Sequence, residues 1–336
     1  MLEAVLPHTT RSFARALVMP NLKQPITLPE QMVRYREEIL QKSSGDFEPL
    51  MTLMLTHETT PLIVQNAKRA GVIAFKYYPK GLTTNSEHGV ENILELADTL
   101  RALEDEGIVL CLHGEQCGAF CLDREEWFLQ TLIDLVTAYP KLRIVLEHIS
   151  TAAAIVCVSA LPDTVAATIT VHHLLLTLDD VIGGPFRPHY FFKPIPKRES
   201  DRAALIGAAT SGNPKFFLGT DSAPHSIQFK ENDCGCAGVF TAPVAMEVLI
   251  ELFIQHSALA KLKGFTSENG AWFYGLPLNQ EIATYKQIFS IVPEVYYARG
   301  CASGYPISDN HLHSDYLGIR PFKAGESLHW QLVSND

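Results

Sequence analysis

The sequence predicts an α/β fold built as a (β/α)8 barrel of the TIM type, and three observations carry that expectation. Short apolar runs alternate with longer segments of 3.6-residue spacing along most of the chain. The runs are almost continuously apolar, as strands are when helices cover both faces of a parallel sheet. Nearly every run closes on a polar residue able to do chemistry, and a barrel carries its active site at the carboxyl ends of its strands. A doubly wound sheet would usually show a Gly-rich turn after its first strand, which is absent here.

In chain order, the runs are Arg15 to Asn21, Leu50 to Thr56, Val72 to Pro79, Ile108 to Glu115, Leu142 to Ser150, Val165 to His173 and Lys215 to Ser222. Their polar residues are Asn21, Lys76, His113 with Glu115, His148, His172 with His173, and Asp221. Between them, helical spacing predicts helices over Pro29 to Lys42, Thr60 to Ala70, Val90 to Glu106, Asp123 to Tyr139 and Glu199 to Ala209. Seven runs are one short of a closed barrel, so the missing strand is placed before Met1 and the chain is expected to begin just after strand 1. The expected division is a barrel catalytic domain over 1–278, holding strands 2 to 8, and a C-terminal extension over 279–336 that packs on it. That tail is irregular and rich in Tyr, Pro, Gly and Ser up to Asp309.

Composition narrows the function. With 47% apolar and 19% charged residues and a mean hydropathy of +0.07, the 336-residue chain reads as a soluble globular enzyme. A formal net charge of -10 without a basic run argues against nucleic acid. No apolar stretch reaches the ~20 residues needed to cross a bilayer. The start, Met1 to Pro7, lacks a basic region and a long apolar core, so no signal peptide is expected. Seven scattered cysteines read as reduced thiols, which places the protein in the cytoplasm and leaves mitochondrial or plastid import open.

Lys76 organises the chemistry. It sits inside Val72-Ile73-Ala74-Phe75-Lys76-Tyr77-Tyr78-Pro79, where an ammonium is costly to bury unless something neutralises or binds it. One reading is a lysine that meets an acid at the strand end. The other is a desolvated amine able to react with a carbonyl compound or with CO2. His113, His148 and Asp221 close neighbouring runs at the same rim. Imidazole and carboxylate suit Zn2+, and a lysine carboxylated by CO2 becomes an oxygen ligand able to bridge two metals.

Several blocks, in order, resemble a known family: ALVMPNL at 16–22, FKYYPKGLTTNSEHGV at 75–90, LHGE at 112–115 and LEHIS at 146–150. FRPHYFFKPIPKR at 186–198, FLGTDSAPH at 217–225, CGCAGVFTAP at 234–243 and NGAWFYGLP at 269–277 continue the series, and PFKAGESLHW at 321–330 resumes it weakly. Together they are similar to dihydroorotase of the bacterial and plant single-function type, a zinc-dependent cyclic amidohydrolase. The resemblance implies reversible closure of N-carbamoyl-L-aspartate to L-dihydroorotate in pyrimidine biosynthesis, with two zinc ions per subunit. It makes Lys76 the bridging N6-carboxylysine, His113 and His148 ligands of the second metal, and Asp221 both a first-metal ligand and the catalytic proton shuttle. Asn21 and His225 then bind the substrate carboxylate, and Ala237 and Lys193 present backbone to the ring amide. His113 also belongs with the substrate-binding set, and Thr83 and Thr84 lie on a loop that closes over substrate. A small-molecule substrate and a homodimer are implied, with neither nucleic acid nor membrane as partner.

Plainer readings stand beside these roles. Asn21 after a proline caps turns, Cys234 and Cys236 are loop thiols, His172 and His173 are core groups, and Arg187 and His189 order the loop before Lys193. One departure matters. The family's first strand carries Asp-x-His-x-His-x-Arg, whose histidines bind the first metal and whose arginine pairs with the substrate carboxylate. Met1-Leu2 aligns just beyond it, so much reduced activity is expected of the sequence as written. The His-x-His at His311 and His313 is then a candidate replacement, with a chance match in a tail as its plain alternative. A non-catalytic scaffold or partner subunit, and another cyclic-amide hydrolase such as a hydantoinase, are the alternatives.

Overall fold

Strand parity sets what faces the centre of this molecule. The computed structural model describes residues 1–43, 45–299 and 316–333. Seven strands hydrogen-bond in sequence order: β1 (Arg15–Val18), β2 (Glu48–Met54), β3 (Ala74–Tyr77), β4 (Val109–His113), β5 (Ile144–Glu147), β6 (Val165–Ile169) and β7 (Phe216–Leu218). Every neighbouring pair is parallel, with Lys76 beside Cys111 and His113 beside Glu147. The sheet curls into a TIM-type barrel. Among the described residues, β1 and β7 do not pair with each other.

Successive residues of a strand point to opposite faces. Ala74, Val109, Cys111, Val145, Ala166 and Phe217 form one buried cluster in the lumen, with Leu17, Phe273 and Tyr274 against it. The alternate positions, including Phe75, Tyr77, Leu110, Leu112, Leu146, Ala167 and Phe216, belong to the larger core shared with the helices. The same alternation turns Lys76, His113 and Glu147 inward, above the apolar floor of the lumen.

Helices cover the outside. The sequence-predicted ones are found as α2 (Pro29–Lys42), α3 (Pro61–Arg69), α4 (Ala97–Glu106), α5 (Arg124–Ala138) and α9 (Glu199–Ser211). Proline opens α2 and α3 at the first position, where no intrahelical N–H is lost, and the Thr60 hydroxyl accepts from Ile63 N–H. α4 starts later than expected, a 3-10 turn over Ile93–Glu95 preceding it, and ends at Gly107 in the left-handed region. α6 (Ala152–Ala160), α7 (Val171–Leu175), α8 (Leu178–Ile182), α10 (Ile227–Lys230) and α11 (Ala245–Gln255) complete the shell used below.

Two further features differ from the sequence expectation. The run Val165 to His173 is not one strand: it ends at Ile169, and the Thr170 hydroxyl caps α7, so His172 and His173 lie on a helix. Before β1, α1 (Leu2–Thr10) buries Leu6 in the main core and sets Ala4 and Val5 against Phe240, Ala242 and Ile319. Arg11 then donates to Pro243 O at 2.8 Å and pairs with Glu247.

Toward the C-terminus, β8 (Tyr285–Ile291) pairs with β11 (Leu328–Leu332) and β9 (Tyr296–Arg299) with β10 (Tyr316–Ile319), both antiparallel. They meet the barrel through bridges from Ser226 to Ile319 and from Phe240 to Pro321, and through His329 N–H on Glu251 at 2.6 Å. His311 and His313 lie outside the described residues. No described helix is long and apolar enough to cross a membrane.

Candidate metal and active site

Two loops after strands bring the rim together. His148 follows β5 with φ +47°, and Asp221 lies three residues beyond β7 with φ +40°. Left-handed backbone in non-glycine residues costs about 1 kcal/mol or more and collects at functional sites. Thr168, inward on β6, receives His148 N–H at 2.7 Å and so fixes that turn. A Cβ at Gly219 would stand 2.7 Å from Thr168 Cβ, so only glycine lets the end of β7 pass the residue that holds His148.

The two imidazoles face each other. His113 Nδ1 and His148 Nε2 are 3.2 Å apart, and both rings are buried. His113 Nε2 lies 2.6 Å from Glu115 Oε2. A carboxylate accepts only, so Nε2 carries the hydrogen and the Nδ1 lone pair is turned toward His148. Burial lowers the pKa of both rings, most strongly for His148, with Lys76 adding to the effect and Glu115 opposing it at His113. Both rings therefore remain neutral near neutral pH. Burial raises the Glu115 pKa, but the His113 bond and the charges of Lys197 and Arg124 outweigh it, and the net shift is downward. His148 Nδ1 is buried and, among the described residues, has no hydrogen-bond partner.

Lys76 is 1% exposed and forms an ion pair with Glu147, while Tyr78 presents its ring 5.2 Å from the ammonium. Asp221 has its pKa raised to about 6 by burial, with Lys76 lowering it and Glu147 raising it. The four residues named from the sequence thus share one electrostatic neighbourhood, although only the His113–His148 contact is direct. Glu147 escaped the sequence reading, and parity offered the signal: it lies two residues after inward Val145.

Around the rim, a second group gathers in the loops. Asn21 donates to Thr84 O at 3.3 Å, and Asn85 returns a bond to Asn21 O at 2.8 Å. Lys193 Nζ donates to Leu82 O at 2.6 Å, so this loop is held from both sides. Ser86 ties the loop internally by accepting from Thr83 N–H at 2.9 Å and donating to Thr83 O at 2.7 Å. His225 Nε2 meets Ala237 O at 3.1 Å. His189 lies 2.7 Å from Glu231 and Arg187 stands over the Tyr190 ring, contacts that order the loop before Lys193. Cys234 and Cys236 are free thiols in a loop.

Among the described residues, no three His, Cys, Asp or Glu side chains converge to hold a metal by themselves. The donors nevertheless fit one when lysine supplies the third. Zn–N bonds of about 2.0–2.1 Å at a tetrahedral angle place two ligand nitrogens roughly 3.3 Å apart, close to the separation of the histidine pair.

A barrel with such a rim is of the metal-dependent amidohydrolase type, a hydrolase of cyclic amides. No family model matches the sequence. The chain is 44% identical to a dihydroorotase of Alkalilimnicola ehrlichii over 99% of its own length and 94% of that relative. The solved dihydroorotase of Campylobacter jejuni superposes with a TM-score of 0.84 at 38% identity, covering 99% of this chain and 92% of that one. The Saccharomyces cerevisiae dihydroorotase, solved in complex with 5-fluoroorotic acid, superposes with a TM-score of 0.85 at 33% identity, covering 98% and 93%. The chain belongs to the dihydroorotase family.

Proposed function

We propose that the chain catalyses the reversible closure of N-carbamoyl-L-aspartate to L-dihydroorotate in pyrimidine biosynthesis, with zinc as its metal. The observation that carries this reading is the histidine pair, two neutral nitrogens 3.2 Å apart with one tautomer locked by Glu115. His113, His148 and a carboxylated Lys76 would hold one zinc, and Lys76 with Asp221 would contribute to a second. When bound, zinc activates water and polarises the amide carbonyl.

The chain's own residues supply the rest. In ring opening, water oxygen bonds to the amide carbon and gives one proton to Asp221. The carbon–nitrogen bond breaks, and Asp221 passes that proton to the leaving nitrogen, while the second water proton is released as the new carboxyl group ionises. Closure reverses each step and releases water. Asn21 and His225 orient the substrate carboxylate, Ala237 and Lys193 present backbone to the ring, and the loop carrying Thr83 and Thr84 excludes solvent. Glu147 neutralises Lys76 while that side chain is an ammonium, and must release it for reaction with CO2. The working form is a homodimer in the cytoplasm.

A substrate panel tests the reading. Zinc-loaded protein should open L-dihydroorotate in preference to hydantoin and dihydrouracil. Preference for either of those rings, or no opening of L-dihydroorotate, would overturn it.

A further inference from the structure

Lys230, the last residue of α10, is 3% exposed and has no carboxylate among its hydrogen-bond partners. Its ammonium donates to three backbone carbonyls, Phe191 O at 2.8 Å, Cys236 O at 2.7 Å and Gly238 O at 2.8 Å. All three N–H groups are therefore used, and they join two loops that meet nowhere near each other in sequence. The Phe191 carbonyl also accepts Gly238 N–H at 3.0 Å. Ala237 lies between the two tethered carbonyls of its own loop, and its carbonyl meets His225. Three consecutive carbonyls are thus fixed, and among the described residues the Ala237 N–H makes no hydrogen bond within the chain. Gly238 closes the arrangement at φ +148°, where a Cβ would stand 2.5 Å from Ala223 O.

We propose that Lys230 is a positioning residue that fixes the Ala237 peptide against the loop before Lys193, and so sets the face on which the substrate ring is recognised. This rests on the functional reading above. A single nitrogen with three hydrogens can converge on three carbonyls. Arginine keeps the charge but spreads its donors over a planar fork and cannot reproduce that geometry.

The test compares wild type, Lys230→Arg and Lys230→Met for KM and kcat on L-dihydroorotate, zinc content and thermal unfolding. Lys230→Arg keeps the charge, so it serves if the apolar variant does not fold. The expected result is a KM raised about tenfold or more in each folded variant, with kcat within about threefold and zinc content unchanged. A wild-type KM in Lys230→Arg, or a loss of kcat and zinc at unchanged KM, would overturn the proposal. A wild type that opens no dihydroorotate sinks the functional reading and this one with it, whereas an active wild type with an unaltered Lys230→Arg sinks this one alone.

Discussion

Glu115 removes one of the two tautomers open to His113, and that choice decides whether the ring offers a lone pair to a metal or a hydrogen. Replacing it by glutamine keeps the shape but allows the amide to donate, which stabilises the wrong tautomer. Glu115→Gln should weaken zinc binding about 10–100-fold, read by competition with a chelator, while thermal stability changes little. A second consequence belongs to the histidines that the metal would not touch. His173 is 1% exposed, lies 3.0 Å from Pro194 O through Nε2, and burial lowers its pKa from 6.5 to about 3. Between those values the unfolded chain binds the proton and the folded one does not, so stability falls as pH drops below 6.5. The slope is about 1.4 kcal/mol per pH unit for this one group. Urea unfolding at pH 6.5 and 5.0 should show a smaller pH-dependent loss in His173→Asn than in wild type. Most rim residues were legible in the sequence because each closes an apolar run. Glu147 was not, because an acid beside His148 reads as an ordinary strand end until its side is counted.

At the level of elements, a buried carboxylate joins Thr168 in holding the turn that carries His148. Glu125 on α5 is 1% exposed and accepts from the N–H groups and hydroxyls of Ser150 and Thr151, at 2.6–3.0 Å. Thr151 in turn accepts Ala154 N–H at 3.1 Å and caps α6. Burial raises the Glu125 pKa against these bonds and the charge of Lys197. Glu125→Ala leaves several buried donors unpaired and should cost about 3 kcal/mol or more in urea unfolding. A change below about 1 kcal/mol would show that the turn holds itself. Amphipathic helices such as α2 could be read from spacing alone. α6 could not: Ala152-Ala153-Ala154-Ile155-Val156-Cys157-Val158-Ser159-Ala160 has almost no polar face, so periodicity is silent. The break between β6 and α7 was hidden for a related reason, since the capping Thr170 sits inside a continuous apolar run.

For the whole molecule, a chain of net charge -10 is proposed to bind an acidic substrate, so the attraction must be local. Lys193 and Lys230 place positive charge at the loops, while the C-terminal strands reach the barrel near the same loops through Ser226 and Phe240. The alternation of strands and helices made the barrel legible early, because it is a property of the full sequence. How β8 to β11 pair could not be read, since those pairings join residues as far apart as Tyr285 and Leu332 in a segment rich in turn formers. The proposed function requires Lys76, His113 and His148 to act together as a metal-holding rim. The most direct measurement is zinc bound per chain, with turnover of L-dihydroorotate, in wild type, Lys76→Ala and His148→Ala. Wild type should hold zinc and lose turnover on chelation, and each variant should lose most of both; wild-type zinc content and turnover in Lys76→Ala would contradict it.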